Sequence, residues 1–325
     1  MKAWIVKEWC EPEQMQFAEL PTPEPGAGEV RVKVGAAALN FLDTLMVRGR
    51  YQVKPAFPFT PGVEVAGIVE AVGAGSRFKP GMRVCGNLSH GGYATHAILI
   101  DRTVAPIPDT LDFAEAAALP IVYPTAHLCL RDAGRMQAGE TVLVHAGAGG
   151  VGLAAIQLAR AWGAGRIIAT AGSAEKLAVC REHGADEAYD YGSDAWVDQV
   201  KQSTAGKGAD IIIDMVGGAI AESSLRVLAW RGRLIVVGFA GGIIPNLAAN
   251  RLLLKSASAI GVFWGETAKR EPDLVRAVFD DLFGLLAAGK IRPVVSHRYP
   301  LPEAPRAMAD LANRKTHGKV VLIPE

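Results

Sequence analysis

Thr141-Val142-Leu143-Val144-His145-Ala146-Gly147-Ala148-Gly149-Gly150-Val151-Gly152 is the stretch that decides the fold. A short β-branched run feeds a glycine-rich corner, and Leu153 to Trp162 continues as an alanine- and leucine-rich amphipathic helix. Strand, tight turn and helix in that order are what a dinucleotide-binding site requires. Gly147 lets the chain turn sharply off the strand. Gly149 lets the backbone approach a pyrophosphate with no Cβ in the way, and Gly152 lets the helix pack closely on the strand. The first N–H groups of that helix lack intrahelical partners and carry partial positive charge, which suits phosphate oxygens. The chain holds 36 glycines, so the glycine spacing alone is a weak signal and its strand and helix flanks carry the reading.

Outward from this turn, strands alternate with helices. The spacing predicts strands at Thr141–Ala146, Ile167–Ala171, Glu187–Tyr191, Asp210–Val216, Arg233–Phe239 and Ser258–Phe263. Helices are predicted near Gly150–Trp162, Glu175–His183, Ala195–Ser203, Ile220–Trp230 and Asn246–Leu254. That alternation predicts an α/β fold with a doubly wound, parallel, six-stranded sheet. Before it, residues 1 to about 120 carry short strands set off by Pro and Gly: the N-terminal run from Met1, Val30–Val34, Val63–Val72, Gly81–Val84 and Tyr93–Ile100. Many short strands with glycine turns predict a partly closed β-barrel. A helical Phe113–Leu119 segment lies in the connector. After Gly265 come a long amphipathic helix (Asp273–Ala288), a strand (Val294–Tyr299), a helix (Ala304–Ala312) and a closing strand (Lys319–Ile323). This tail has too little core to stand alone. The expected organisation is therefore 1–122 barrel, 123–264 nucleotide-binding domain, and 265–325 returning to the barrel.

Composition narrows the function classes. A formal net charge of +1 over 325 residues argues against a general affinity for nucleic acid or anionic membrane. No apolar run is long enough to span a bilayer, and the first residues read as an edge strand rather than a secretory segment. Cys10, Cys85, Cys129 and Cys180 lie far apart with no CxxC pair, which favours reduced thiols in a cytoplasmic enzyme.

The second predicted strand decides the nucleotide. In NAD-binding folds an acid at its end, about 20 residues past the glycines, takes the ribose hydroxyl. Here the segment reads Ala169-Thr170-Ala171-Gly172-Ser173-Ala174-Glu175-Lys176, with no acid at the strand end. Ser173 can donate to a 2′-phosphate and Lys176 supplies a point charge. The expected cofactor is NADPH. The alternative is that Ser173 only caps the helix and Lys176 is a solvated lysine.

Taken together, Asn40-Phe41-Leu42-Asp43, Arg48-Gly49-Arg50-Tyr51, Pro61 to Gly67, Gly81-Met82-Arg83-Val84, Ala116 to Pro120, Ala146 to Gly152 and Asp190-Tyr191 resemble the zinc-free quinone oxidoreductase (zeta-crystallin-like) branch of the medium-chain dehydrogenase/reductase superfamily. The resemblance runs through essentially the whole chain. It implies a GroES-like first domain, a Rossmann domain and a C-terminal return. The zinc-dependent relatives place a Cys in the segment where this chain has Asn40 to Asp43, and a His where it has Val63, beside Glu64. Valine ligates no metal and Asn is a poor zinc ligand. The four-cysteine lobe expected after Val84 is replaced by Cys85-Gly86-Asn87-Leu88-Ser89-His90-Gly91-Gly92. No metal site is expected.

The resemblance also implies site residues. Asn40, Asp43 and Tyr51 fall near the nicotinamide, with Asn40 a donor to either the cofactor amide or the acceptor oxygen, Asp43 structural or cofactor-orienting, and Tyr51 either a proton donor or an aromatic wall. Thr125 falls under the nicotinamide ribose, and Gly150 and Val151 hold the pyrophosphate together with Gly147 and Gly149. Tyr191 falls near the adenosine, Phe239 and Phe263 at strand ends, and Arg314 near the phosphate. Without a Lewis acid, hydride transfer favours acceptors that spread negative charge, namely quinones or α,β-unsaturated carbonyls. An enoyl-CoA acceptor is the alternative, with Arg48, Arg50 and Lys54 as candidate phosphate contacts. A non-enzymatic NADPH-binding role, structural or nucleic-acid-binding, is a third. The sixth strand, Ser258 to Phe263, is apolar and would be a sheet edge, so a homodimer that pairs two such strands is expected.

Overall fold

The computed structural model describes residues 1–324. Its strands are β1 (Lys2–Ile5), β2 (Gln16–Glu19), β3 (Glu29–Ala38), β4 (Glu64–Val72), β5 (Arg83–Asn87), β6 (His96–Ile100) and β7 (Val104–Pro106). They continue with β8 (Thr141–Val144), β9 (Arg166–Ala171), β10 (Glu187–Asp190), β11 (Ala209–Asp214), β12 (Leu228–Val236), β13 (Ser258–Gly261), β14 (Val295–Pro300) and β15 (Lys319–Ile323). The chain divides into two compact units. The first is Met1–Ile121 with Pro272–Phe279 and Pro293–Glu325; the second is Val122–Glu271 with Asp280–Arg292. Of the 265–325 segment, residues through Glu271 and Asp280–Arg292 thus group with the nucleotide-binding unit, and the rest with the barrel unit.

The first unit is organised by β3. Val30, Val32 and Val34 are buried while Arg31 and Lys33 point away, the period-2 pattern of a strand with one face on a core. Along one side β3 pairs with β4. Along the other, its first half pairs with β6 and its last residues, Ala37 and Ala38, with β15. The sheet order is β14-β15-β3-β4-β5-β7. The closing strand is thereby stitched to the end of β3, directly before Asn40. The expected Gly81–Val84 strand begins only at Arg83, because Gly81 takes φ +90°. The N-terminal strand pairs with β2 in a two-stranded ladder and bridges Ala94 on its other side through Ala3.

The second unit is a parallel sheet in the order β10-β9-β8-β11-β12-β13. Sequence order reverses on either side of β8, which places the topological switch point between β8 and β11. Leu143, Ile168, Ile212 and Leu234 pack with Trp196, Val197 and Val200 of the Ala195–Ser203 helix in a wholly buried core. Several expected boundaries shift: β12 ends at Val236 and β13 at Gly261, so Phe239 and Phe263 lie in the segments that follow these strands. The Ile220–Trp230 helix is observed at Gly218–Ser224, and Leu228–Trp230 opens β12. Leu228 pairs with Ala209 ahead of a register shift, and Arg231 adopts φ +59°, a bulge that periodicity does not reveal. Strand β11 stops at Asp214 rather than Val216. The Asp214 carboxylate accepts the N–H groups of Val216 (2.9 Å) and Gly217 (3.0 Å) and bends the chain off the sheet.

Candidate functional site

In the second unit, all strands run parallel, so their C-terminal ends share one edge. The glycine turn leaves β8 there. The residue with left-handed backbone is Ala146 (φ +47°), not Gly147. Gly147 is required for space instead: a Cβ on it would meet Ala169 Cβ at 2.8 Å and Cys180 Sγ at 2.9 Å. A Cβ on Gly152 would lie 2.5 Å from Ala146 O and 2.6 Å from Gly147 O, so the Gly150–Ala161 helix starts hard against the turn. Gly149 differs. A Cβ there would meet only Ala146 O, at 3.2 Å, leaving an open cradle beside the uncapped helix start at Gly150 and Val151. A pyrophosphate fits such a cradle.

His145 fixes this turn, and sequence reasoning passed over it. Its buried ring bridges Thr170 Oγ1 (2.7 Å, from Nδ1) and Ser224 Oγ (2.8 Å, from Nε2) and stands edge-on to Trp196. Ser224 donates its own hydrogen to Ile220 O. Nε2–H therefore donates to Ser224, and Nδ1 accepts from Thr170. Burial pushes the imidazole down to about 3, so it stays neutral. Thr170 also accepts the Gly147 N–H through its carbonyl, at 2.8 Å. One β9 residue thus holds the chain on both sides of Ala146.

At the end of β9, Ser173 caps the Ala174–Glu182 helix and accepts the Lys176 N–H at 3.3 Å. Ser173 is therefore a helix cap, and the strand end carries no acid. Gly172 lies against the Tyr191 ring, where a Cβ would be 3.3 Å from Cε2, so Tyr191 and Ser173 are neighbours. Phe239 packs against Gly217 in the turn that Asp214 organises. Burial raises Asp214 to about 6. Thr125 is buried in the Val122–His127 helix. Phe263 is half-exposed and lines a cavity of about 510 Å³ along β13, with Leu128, Ile260 and Val262.

The first unit holds a buried charged cluster. Asn40 starts the Phe41–Val47 helix and donates its backbone N–H to Asp43 Oδ2 at 2.8 Å. Tyr93 donates its hydroxyl to the same oxygen at 2.9 Å. Asp43 Oδ1 is buried without a hydrogen-bond partner. Desolvation raises Asp43 to about 7 against the pull of these donors. Glu64 Oε1 accepts from Asn40 Nδ2 (2.8 Å) and Lys319 Nζ (2.5 Å), and its Oε2 accepts the Ile121 N–H (3.0 Å). Lys319 Nζ also donates to Asn40 Oδ1 (2.8 Å) and Leu39 O (2.6 Å). Tyr51 is half-buried against the same core. Burial, then the Asp43 carboxylate, raise its phenol, so it is a neutral donor. Arg48 pairs with Glu11 at 2.6 Å, and Arg50, Lys54 and Arg314 lie at the surface.

These residues do not suit zinc. The Glu64 carboxylate is taken by an ammonium and a backbone N–H, its neighbours are an amide and Val63, and three of the four cysteines are buried. Among the described residues no group of three or more His, Cys, Asp or Glu is placed to hold a metal ion.

Residues 150–280 match the zinc-binding dehydrogenase family, and residues 26–109 the alcohol dehydrogenase GroES-like domain. The chain is 39% identical to the quinone oxidoreductase of Rattus norvegicus over 99% of its own length and 98% of that protein. The Escherichia coli quinone oxidoreductase, solved with NADPH, superposes with a TM-score of 0.93 at 32% identity, covering 100% of both chains. A mycobacterial protein solved with NADPH gives 0.93 at 36% identity, again covering 100% of both.

Proposed function

Because the chain belongs to the quinone oxidoreductase branch of the medium-chain dehydrogenase/reductase superfamily, we propose that this NADPH-dependent oxidoreductase reduces quinones or other conjugated carbonyls without zinc. The observation that carries this reading is the Lys319–Glu64–Asn40 cluster. It engages the carboxylate of Glu64, beside the position where the zinc-dependent relatives place a His, with an ammonium and an amide, which supports a reaction in which charge developing on an acceptor is met by hydrogen bonds and by the acceptor's own conjugation.

NADPH supplies a hydride when bound. The chain's own residues do the rest. The Gly147–Val151 turn takes the pyrophosphate, and Ser173 and Lys176 take the 2′-phosphate. Asn40 donates to the acceptor oxygen on which charge grows. The neutral Tyr51 phenol, or water, returns the proton, so that one hydride and one proton convert a quinone to its hydroquinone. A substitution of Tyr51 by Phe lowers kcat about tenfold or more if the phenol is the donor; an unchanged kcat assigns the proton to water.

A screen of NADPH oxidation across quinones, enones and enoyl-CoAs tests the assignment. Turnover with quinones and enones is expected. Preference for enoyl-CoA would move the assignment to a CoA-thioester reductase that uses the exposed Arg50 and Lys54, and binding of NADPH with no turnover on any acceptor would refute an enzymatic role. Two copies are proposed to pair through β13, which lies at the sheet edge with exposed Leu253, Leu254 and Phe263 on the flanking segments. A monomer in light scattering at micromolar concentration would contradict this. Reduced cysteines fit a cytoplasmic enzyme.

A further inference from the structure

Lys319 opens the closing strand and is the only charged residue in Lys319-Val320-Val321-Leu322-Ile323. Its ammonium is almost fully buried, 4% exposed, and its three hydrogens are all used, on Leu39 O, Asn40 Oδ1 and Glu64 Oε1. The last two contacts close a ring, because Asn40 Nδ2 donates to the same Glu64 oxygen. A buried ion pair is a poor source of stability compared with apolar packing. The ring does, however, impose one orientation on a group that otherwise turns over freely. An asparagine amide presents oxygen or nitrogen almost equally well by shape. Here the ammonium demands the oxygen and the carboxylate demands the nitrogen. One Asn40 amide hydrogen goes to Glu64, which leaves the second. Asn40 is also the most exposed of the three, at 8% against 0% for Glu64.

We propose that Lys319 is a positioning residue of the reduction, which locks the Asn40 amide so that its remaining N–H is a preset donor to the acceptor oxygen. The proposal rests on the reading that Asn40 serves the acceptor. The ammonium on Oδ1 draws electron density from the amide and sharpens that donor. It makes no contact with the reacting atoms itself. With its orientation fixed before the acceptor arrives, the donor needs no rearrangement as charge grows.

Lys319→Met keeps the length of the stem and removes the charge. Alone it leaves Glu64 ionised and unpaired, so it is paired with Glu64→Gln, and the double variant is compared with Glu64→Gln. The expected result is a kcat about tenfold or more below that of Glu64→Gln, with the NADPH Kd within about twofold and the melting temperature no lower. A smaller fall in kcat overturns the proposal, since the cluster would then serve folding alone. Should the double variant not fold, the unmutated protein still answers. With selective asparagine ¹⁵N labelling, one Asn40 amide proton should exchange slowly and the other should shift when NADP⁺ and a quinone analogue bind. A second proton that does not move overturns the assignment. Failure of the parent reading looks different: an Asn40→Ala protein with full turnover.

Discussion

His145 and Thr170 share a 2.7 Å hydrogen bond that ties the residue before the nucleotide turn to the neighbouring strand, and Thr170 accepts the Gly147 N–H on the other side of the turn. The strained Ala146 is held between these two bonds. Replacing His145 by Ala strands the Thr170 and Ser224 hydroxyls and opens space beside Trp196. A loss of about 2–4 kcal/mol in denaturant unfolding is expected. The turn also loosens, so KM for NADPH rises about tenfold while kcat at saturation changes less. An unchanged KM in a folded variant would show that the turn holds its shape unaided.

Gly149 and Gly152 should part company on mutation to alanine. The Gly149 Cβ meets one carbonyl at 3.2 Å, whereas the Gly152 Cβ meets two at 2.5 and 2.6 Å. Gly149→Ala is expected to unfold within about 1 kcal/mol of the parent yet raise KM for NADPH about tenfold or more, because the methyl fills the pyrophosphate cradle. Gly152→Ala should lower the melting temperature as well, since backbone must move. Equal thermal shifts for the two would refute these separate roles.

Asp43 makes stability depend on pH. Its folded pKa is raised to about 7 by burial, from an ordinary value of 3.8. Between these values the folded chain holds a proton on Asp43 that the unfolded chain has released, so the contribution of Asp43 to stability falls as pH rises from about 4 to about 7 and levels above that. The span of about 3 units corresponds to at most about 4 kcal/mol. Asp43→Asn can keep the bonds from the Asn40 N–H and Tyr93 and removes the titration. Its melting temperature relative to the parent should therefore be higher at pH 8.5 than at pH 5.5. A difference independent of pH would place the titration elsewhere.

Lys176 is expected to discriminate between nucleotides. Lys176→Ala should raise KM for NADPH about tenfold and leave KM for NADH within about twofold, because the contact proposed for Lys176 is to the 2′-phosphate that NADH lacks. Equal changes for both would return Lys176 to the surface.

Much of this was legible in the chain because it is local. Glycine spacing, a β-branched run and an amphipathic stretch fixed the strand–turn–helix at Thr141–Ala161, and alternation fixed β3. Ser173 was readable as a cap from its place before the helix. The positive φ at Ala146 was not readable, because glycine is the usual host for that conformation. Nor were the early end of β11 at Asp214 and the bulge in β12, which side-chain and register contacts decide. Lys319 escaped because its partners lie 255 residues away at Glu64 and 279 away at Asn40. Its one local signal was a charge opening a strand of four apolar residues.

Charge on the acceptor is proposed to be met by hydrogen bonds and conjugation alone. NADPH-driven reduction of a para-quinone, measured before and after dialysis against a strong chelator with metal content assayed on the same samples, tests it most directly. The expected result is an unchanged kcat with far less than one zinc per chain. A stoichiometric metal whose removal abolishes turnover, and whose return restores it, would contradict the account.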